Sequence, residues 1–265
     1  MNNKSDYPDR GGSVEKYTVR KLRDLSIISV SRNRMLVIAC DSNASIGEKP
    51  MDYKKISYEE MGVSALKVPL MEVLATGAAP LIVVDNLCVE MEGFGRRIIA
   101  AMRHELERHG MADKVQLTGS TEDNMPTSQT GVGVTVIGML CDRDSRIGKT
   151  QKGDVVVCVG VPRDGIIDKY SEFQSDVANI GTVLQLINLP FVHEILPVGS
   201  KGVAYEAEQL CKTVNLSFAS REESGIDFYI SAGSSTAVLC SLQEKDFSKL
   251  NTCLECPCDI VGEVV

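Results

Sequence analysis

The sequence predicts a mixed chain of α+β or α/β class in two parts. Three observations carry this reading. β-rich runs and helical patterns alternate along both halves. A charged stretch with two glycines, DRDSRIGKTQKG at 142–153, separates the halves. The 265 residues are 43% hydrophobic and 24% charged, which suits one large or two modest globular domains.

Residues 1–20 are polar, with Pro8 and the pair Gly11-Gly12, and read as a mobile arm. Leu25–Val30 and Met35–Cys40 are β-rich, with a hairpin turn at Ser31–Arg34. Asp41–Gly47 is expected to be a polar loop. Ser57 and Glu60 form a capping box that opens a helix. Leu66, Leu70, Val73 and Leu74 share one side of it, and Pro69 predicts a kink or two helical pieces. Gly77–Pro80 closes the helix and leads into a strand over Leu81–Val89. Phe94, Ile98, Ile99, Met102 and Leu106 line one face of an amphipathic helix over 94–109, which Gly110 ends. A strand at 115–118, a polar loop at 119–130 and a strand at 132–140 follow. In the second half, strands are expected at 154–161, 226–232, 235–242 and 258–265, and helices at 163–171, 175–188 and 200–213.

The net charge of -8 argues against nonspecific nucleic-acid binding, which relies on basic surface. An acidic enzyme can still hold a nucleotide where Mg²⁺ bridges carboxylate and phosphate. No run reaches the ~18 apolar residues of a membrane span, and the first twenty residues lack a secretory apolar stretch. These features point to a cytoplasmic protein with no membrane partner. Most of the nine cysteines sit in apolar runs, as small buried hydrophobes of a reducing compartment do.

Standard motifs give little. Gly148-Lys149-Thr150 resembles the end of a P-loop, but Arg143 stands where the first glycine belongs. Gly131-x-Gly133 lies inside a strand and lacks the third glycine of a dinucleotide fingerprint. Cys253-x-x-Cys256-x-Cys258 lacks a fourth zinc ligand at recognisable spacing. His104 and His109 sit among Arg and Glu, as solvated residues do.

The carboxylates carry more. Asp24 precedes the first strand, Asp41 follows the second, Glu72 interrupts an apolar helix and Asp85 an apolar strand. Glu122 and Asp123 sit in the loop after 118. A charge inside an apolar run is costly unless paired or metal-bound. Their concentration in one half favours a shared Mg²⁺ site.

The order of segments then resembles the superfamily of aminoimidazole ribonucleotide synthetase, thiamine-monophosphate kinase and selenophosphate synthetase. The segments are Arg23-Asp24-Leu25, Val37–Asp41 with Gly47 and Lys49, LMEVLATGAAPL at 70–81, Asp85, TGSTEDNMP at 118–126 and Gly133–Gly138. Gly153–Val157 and Ile260–Val264 match the opening and closing strands of the second half. The resemblance implies an α+β fold: an ATP-binding, dimerising domain over 21–145, with a mixed sheet and helices on one face, and a smaller C-terminal α/β domain over 146–265. It implies ATP and Mg²⁺ as cofactors and a homodimer. It makes Asp24, Asp41, Glu72, Glu122 and Asp123 metal ligands, and Gly11, Gly12, Gly47, Gly119, Ser120 and Thr121 cofactor-binding. Asp41, Lys49 and Asp85 become catalytic. Glu72 replaces the family's usual Asp, and Ser120 stands where an acid after a Gly-Gly pair is usual.

The arm lacks the reactive cysteine of selenophosphate synthetase, and the chain ends in Val-Val rather than Cys. Kinases remain. IGEKP, LMEVLA, LCVEME and TGSTEDN look most like α-ribazole kinase, which phosphorylates the 5′-hydroxyl of α-ribazole in cobalamin salvage. A thiamine-monophosphate-kinase-like enzyme and a non-catalytic nucleotide-binding dimer are the alternatives.

Overall fold

The computed structural model describes residues 17–221 and 224–265; Gly11 and Gly12 lie outside them. The first half forms a six-stranded sheet. Its strands are β1 (Thr18–Leu22), β2 (Leu25–Ser31), β3 (Arg34–Ala44), β6 (Ala79–Leu87), β7 (Gln116–Thr121) and β8 (Gly131–Cys141). The order is β1-β2-β3-β8-β6-β7, with β6 and β7 parallel and every other pair antiparallel, so the sheet is mixed. A small parallel pair, β4 (Ile46–Gly47) and β5 (Lys54–Lys55), stands beside it.

β3 runs four residues past the expected end at Cys40. Asp41–Ala44 remain in the ladder because β8 continues opposite them, down to Ala44↔Gly131. Likewise Gly119–Thr121 are strand residues, held by Asp85, Asn86 and Leu87 of β6. In both places long-range pairing overrides a polar local sequence.

Helix α1 (Tyr58–Ala75) runs unbroken across Pro69, against the kink expected there. It is buried on almost all sides, so packing offsets the one backbone bond that proline removes. Ser57 caps it by accepting from the Glu60 N–H at 3.1 Å. The Glu60 side chain does not complete the box, because it accepts from the Glu172 N–H at 3.0 Å. Helix α2 (Arg96–Arg108) follows a short irregular helical segment at Met91–Gly95 and packs on α1. Gly62 permits that approach, since a Cβ there would lie 2.5 Å from the Ile98 carbonyl oxygen.

The second half forms a five-stranded, wholly antiparallel sheet. Its order is β10 (Val192–Pro197), β12 (Val238–Leu242), β9 (Val155–Val159), β13 (Cys258–Val264), β11 (Phe218–Ser220). Helices α3 (Ile180–Ile187), α4 (Gly202–Lys212) and α5 (Phe247–Cys253) complete it. Residues 163–171 and 226–232 form turns and loops, not the expected helix and strand. One hydrophobic core joins the halves: Met61, Leu70 and Val73 of α1 belong with Val157, Ile180 and Ile195. Val156, Leu196, Val203 and Leu210 form a second core on the other side of the second sheet, under α4.

Helix α1 thus lies between the two sheets. Among the described residues no element covers the opposite face of the first sheet. That face carries half-buried Ile28, Leu36, Ile38, Ile82, Val84, Ile137 and Met139. No described helix is long and apolar enough to cross a membrane.

Candidate functional site

The β1–β2 turn places Arg23 in the left-handed region at φ 54°. The second half fixes that turn. Arg23 Nη2 donates to Glu194 Oε1 at 2.6 Å and to Thr213 Oγ1 at 2.9 Å. Glu194 is itself held by the N–H groups of Lys149 and Thr150 at 3.0 and 3.1 Å. Asp24, next to this anchor, faces Glu72 of α1 and Glu206 of α4 around a small cavity of about 30 Å³. That volume suits a single ion or water.

The carboxylates there repel one another. Burial, then the charges of Asp24, Asp41 and Glu206, push the Glu72 carboxyl up to about 8. Burial and Asp24 push Glu206 up to about 7. Glu72 Oε2 is buried without a hydrogen-bond partner, and so is Arg23 Nε. An orphaned carboxylate oxygen among like charges is what a cation would satisfy. No three His, Cys, Asp or Glu side chains converge as a metal cage among the described residues. The donor set therefore suits Mg²⁺ held by one or two carboxylates, with phosphate and water completing its shell.

The strain has a sign that can be tested. Between about pH 4.5 and about 8 the folded Glu72 keeps a proton that the unfolded chain has lost. Stability therefore falls as pH rises through that window. Glu72→Gln is expected to flatten this decline; urea unfolding of both proteins at about pH 5 and about pH 8 measures it. Equal slopes in the two proteins would remove Glu72 as the source.

Asp41 connects this group to a larger space. Register places Asp41, Val134, Asp85 and Gly119 in one row across β3, β8, β6 and β7. All share the helix side of the sheet, because the period of a strand is two. Asp41 accepts from Asn43 Nδ2 at 3.2 Å, and burial raises its carboxyl. It lines a cleft of about 510 Å³ between the halves, with Lys54, Asp164, Tyr170 and Ser234. That is the size of a small-molecule site.

The other expected residues lie elsewhere. Asp85 is buried beneath β7, and burial pushes its carboxyl up to about 6. Gly119 makes room for it, since a Cβ there would lie 2.2 Å from Asp85 Oδ1. Ser120, opposite Asn86, points to the uncovered face. Thr121 Oγ1 is 3.4 Å from Asp123 Oδ2. Asp123 accepts from the Met91 N–H at 2.7 Å, and Glu122 from the Asn124 N–H at 2.9 Å. Glu122 thus binds its own loop and Asp123 the segment after β6, and neither is among the charges that act on Glu72. Gly47 lets its loop close on Thr130, as a Cβ would lie 2.5 Å from Thr130 Oγ1.

Lys49 departs most from expectation. Only 3% exposed, its ammonium binds Glu90 Oε2 at 2.6 Å and the Thr127 carbonyl at 3.0 Å, over the Phe94 ring. It ties three loops together and is not free to meet a phosphoryl group. Lys54, five residues on, is the lysine that lines the cleft. The sequence reading also missed Glu206, Tyr170 and Lys67. Lys67 gave the same signal as Glu72, a charge inside an apolar helical run.

Residues 23–140 match the family described as AIR synthase related protein, N-terminal domain. The thiamine monophosphate kinase of Aquifex aeolicus shares 17% identity over 92% of this chain and 89% of that one, with a TM-score of 0.64. AaThiL complexed with AMPPCP and TMP gives 15%, 91%, 84% and 0.58. The hydrogenase maturation protein HypE in complex with ATP gives 16%, 86%, 76% and 0.58. At these identities the likeness is one of fold. No curated protein matches the chain. The matched stretch contains Asp24, Asp41 and Glu72, and the second half supplies Glu206.

Proposed function

We propose that the chain is an ATP-dependent phosphotransferase acting on a hydroxyl of a small molecule, with Mg²⁺ held by one or two of the carboxylates Asp24, Asp41 and Glu72. The observation that carries this is the orphaned, mutually repelling carboxylate group, one of whose charges, Asp41, lines a cleft of about 510 Å³. Solved structures of the same fold hold ATP or AMPPCP.

Bound there, Mg²⁺ would neutralise phosphate charge. The chain's own residues position the reactants. Arg23 and Glu194 hold Asp24, and β3 and β8 hold Asp41. The acceptor oxygen forms a bond to the γ-phosphorus as the bond to the ADP oxygen breaks. ADP leaves with the electron pair, and the acceptor proton passes to Asp41 or to water. A loose transition state asks for little early deprotonation.

The sequence resemblance makes α-ribazole the first acceptor to test and thiamine monophosphate the second. Incubation with Mg-ATP and each compound, read by mass spectrometry, is expected to add one phosphate to α-ribazole. ATP binding without transfer to either would favour a non-catalytic nucleotide-binding protein. The lack of a three-ligand metal cage among the described residues is the observation that favours that second reading. We further propose a homodimer through the uncovered apolar face of the first sheet; a patch of that kind marks an interaction site. Sedimentation at the mass of a single chain would refute it.

A further inference from the structure

We propose that Lys201, carried by the turn at 199–202 that opens α4, binds the terminal phosphates of the nucleotide. Its ammonium donates to a non-bridging phosphate oxygen beside Asp24 and Glu206. The inference rests on the kinase reading and gives it a lysine, since Lys49 is committed to Glu90 and Thr127.

The arginines at the carboxylate cavity are already engaged. Arg23 gives Nη2 to Glu194 and Thr213. Arg146 donates from both Nη atoms to the carbonyls of Val192 and Ile187. Lys201 is exposed, and its ammonium rests 4.1 Å from the centre of the Tyr205 ring, one helical turn on. At an exposed site such a contact is a weak hold, which a phosphate can replace. Tyr205, then the charges of Asp24 and Glu206, push that ammonium up. Lys54 is not among the charges that act on Glu72 or Glu206.

The turn beneath this lysine is fixed. Gly202 takes φ 80°, and a Cβ there would lie 2.7 and 2.8 Å from the Phe228 and Ile230 carbonyl oxygens. Glycine is what lets α4 begin this close to that loop. The Gly199 carbonyl accepts from the Gly202 and Ala232 N–H groups at 3.2 and 3.3 Å, and the Ala204 N–H donates to the Phe228 carbonyl at 3.0 Å. Gly199 also lines the carboxylate cavity, together with Glu206. Lys201 is therefore a free side chain on a rigid stem, two residues from the cavity wall. No side chain caps α4, and its first turn carries no acid, so the helix dipole adds to the pull on an anion.

The cavity asks for charge of both signs. Two of its lining residues carry unmet groups: Glu72 has the acceptor Oε2, and Arg23, its side chain only 9% exposed, has the donor Nε. A bare cation would satisfy the carboxylate and leave the N–H unmet, whereas a cation that carries a phosphate oxygen meets both. At about 30 Å³ the cavity has no room for the rest of the phosphate, whose outer oxygens are left for Lys201.

Calorimetric titration of the full chain with Mg-ATP, Mg-tripolyphosphate and adenosine tests this. Lys201→Ala is expected to weaken Mg-ATP and Mg-tripolyphosphate at least about tenfold and to leave adenosine within about twofold. Lys201→Arg is expected to bind Mg-ATP within about threefold of the wild type. Lys212→Ala is the control, because Lys212 is exposed on the same helix and pairs with Glu208. A mere change of net charge would move both alanine variants alike. Thermal melting checks that the variants fold, which an exposed lysine leads us to expect. The proposal is overturned if Lys201→Ala binds Mg-ATP within about twofold of the wild type, which would mean that water alone meets the unmet groups. It is also overturned if Lys212→Ala loses as much, or if adenosine is lost in proportion. In either case the kinase reading stands as long as the wild type binds Mg-ATP and transfers phosphate. Binding of Mg-ATP that depends on Lys201, with no transfer to any acceptor, would support this site and overturn the kinase reading.

Discussion

Asp41→Asn is expected to lower phosphoryl transfer on the order of 10²–10³-fold and to leave the melting temperature unchanged or slightly raised. The two halves of this expectation have separate causes. Asp41 occupies the only position among the named carboxylates that both faces the cleft and acts on Glu72. Removing its charge removes part of the field that would hold a cation against transferring phosphate. Asn keeps the shape and one oxygen for the Asn43 amide. Burial already raises the Asp41 carboxyl, so its charge costs the fold something, and neutralising it costs the fold nothing. Activity and stability should therefore part company in this variant. Single-turnover assay and thermal melting measure the two. Turnover within about threefold of wild type would remove Asp41 from the mechanism.

The same residue shows how far the sequence could be read. Asp41, Glu72 and Asp24 stand out as charges at the ends of, or inside, apolar runs, and these three share one electrostatic field. Asp85 gave an equal signal for another reason: it is buried beside Gly119, a packing arrangement across two parallel strands. Sequence pattern does not separate these cases, because both present as an acid inside an apolar strand. Lys49 and Lys54 lie in one polar loop, and only the fold decides which is buried and which opens to the cleft. The first sheet was legible because its strands alternate clearly. The second was less so. Its central strand β9 is buried on both sides and pairs with β12 and β13, which lie about eighty and one hundred residues later in the chain. Residues 163–171 have helical spacing, but their backbone is committed to turns. Asp164 accepts from the N–H groups of Ile166 and Ile167 at 2.7 and 3.1 Å.

Lys67→Met is expected to cost about 3–5 kcal/mol of unfolding free energy, the largest stability effect predicted for this chain. Lys67 lies on α1 with its side chain 1% exposed, and it pairs with Glu172, whose side chain is 4% exposed. Its ammonium also reaches the Ala178 carbonyl at 3.3 Å. Glu172 accepts from Ser234 Oγ as well, and its N–H donates to Glu60. Glu60, Ser64 and Lys67 recur at helical spacing and form one polar stripe on an otherwise buried helix. That stripe faces the second half. Removing the lysine strands a buried carboxylate, and the cost lies in that stranded charge more than in the lost pair. Lys67→Met with Glu172→Leu should therefore recover much of the loss, as apolar replacements of buried pairs do. Urea unfolding of the wild type, both single variants and the double variant closes the cycle. A single-variant loss under about 1 kcal/mol would mean that water reaches the pair and that it does not join the halves.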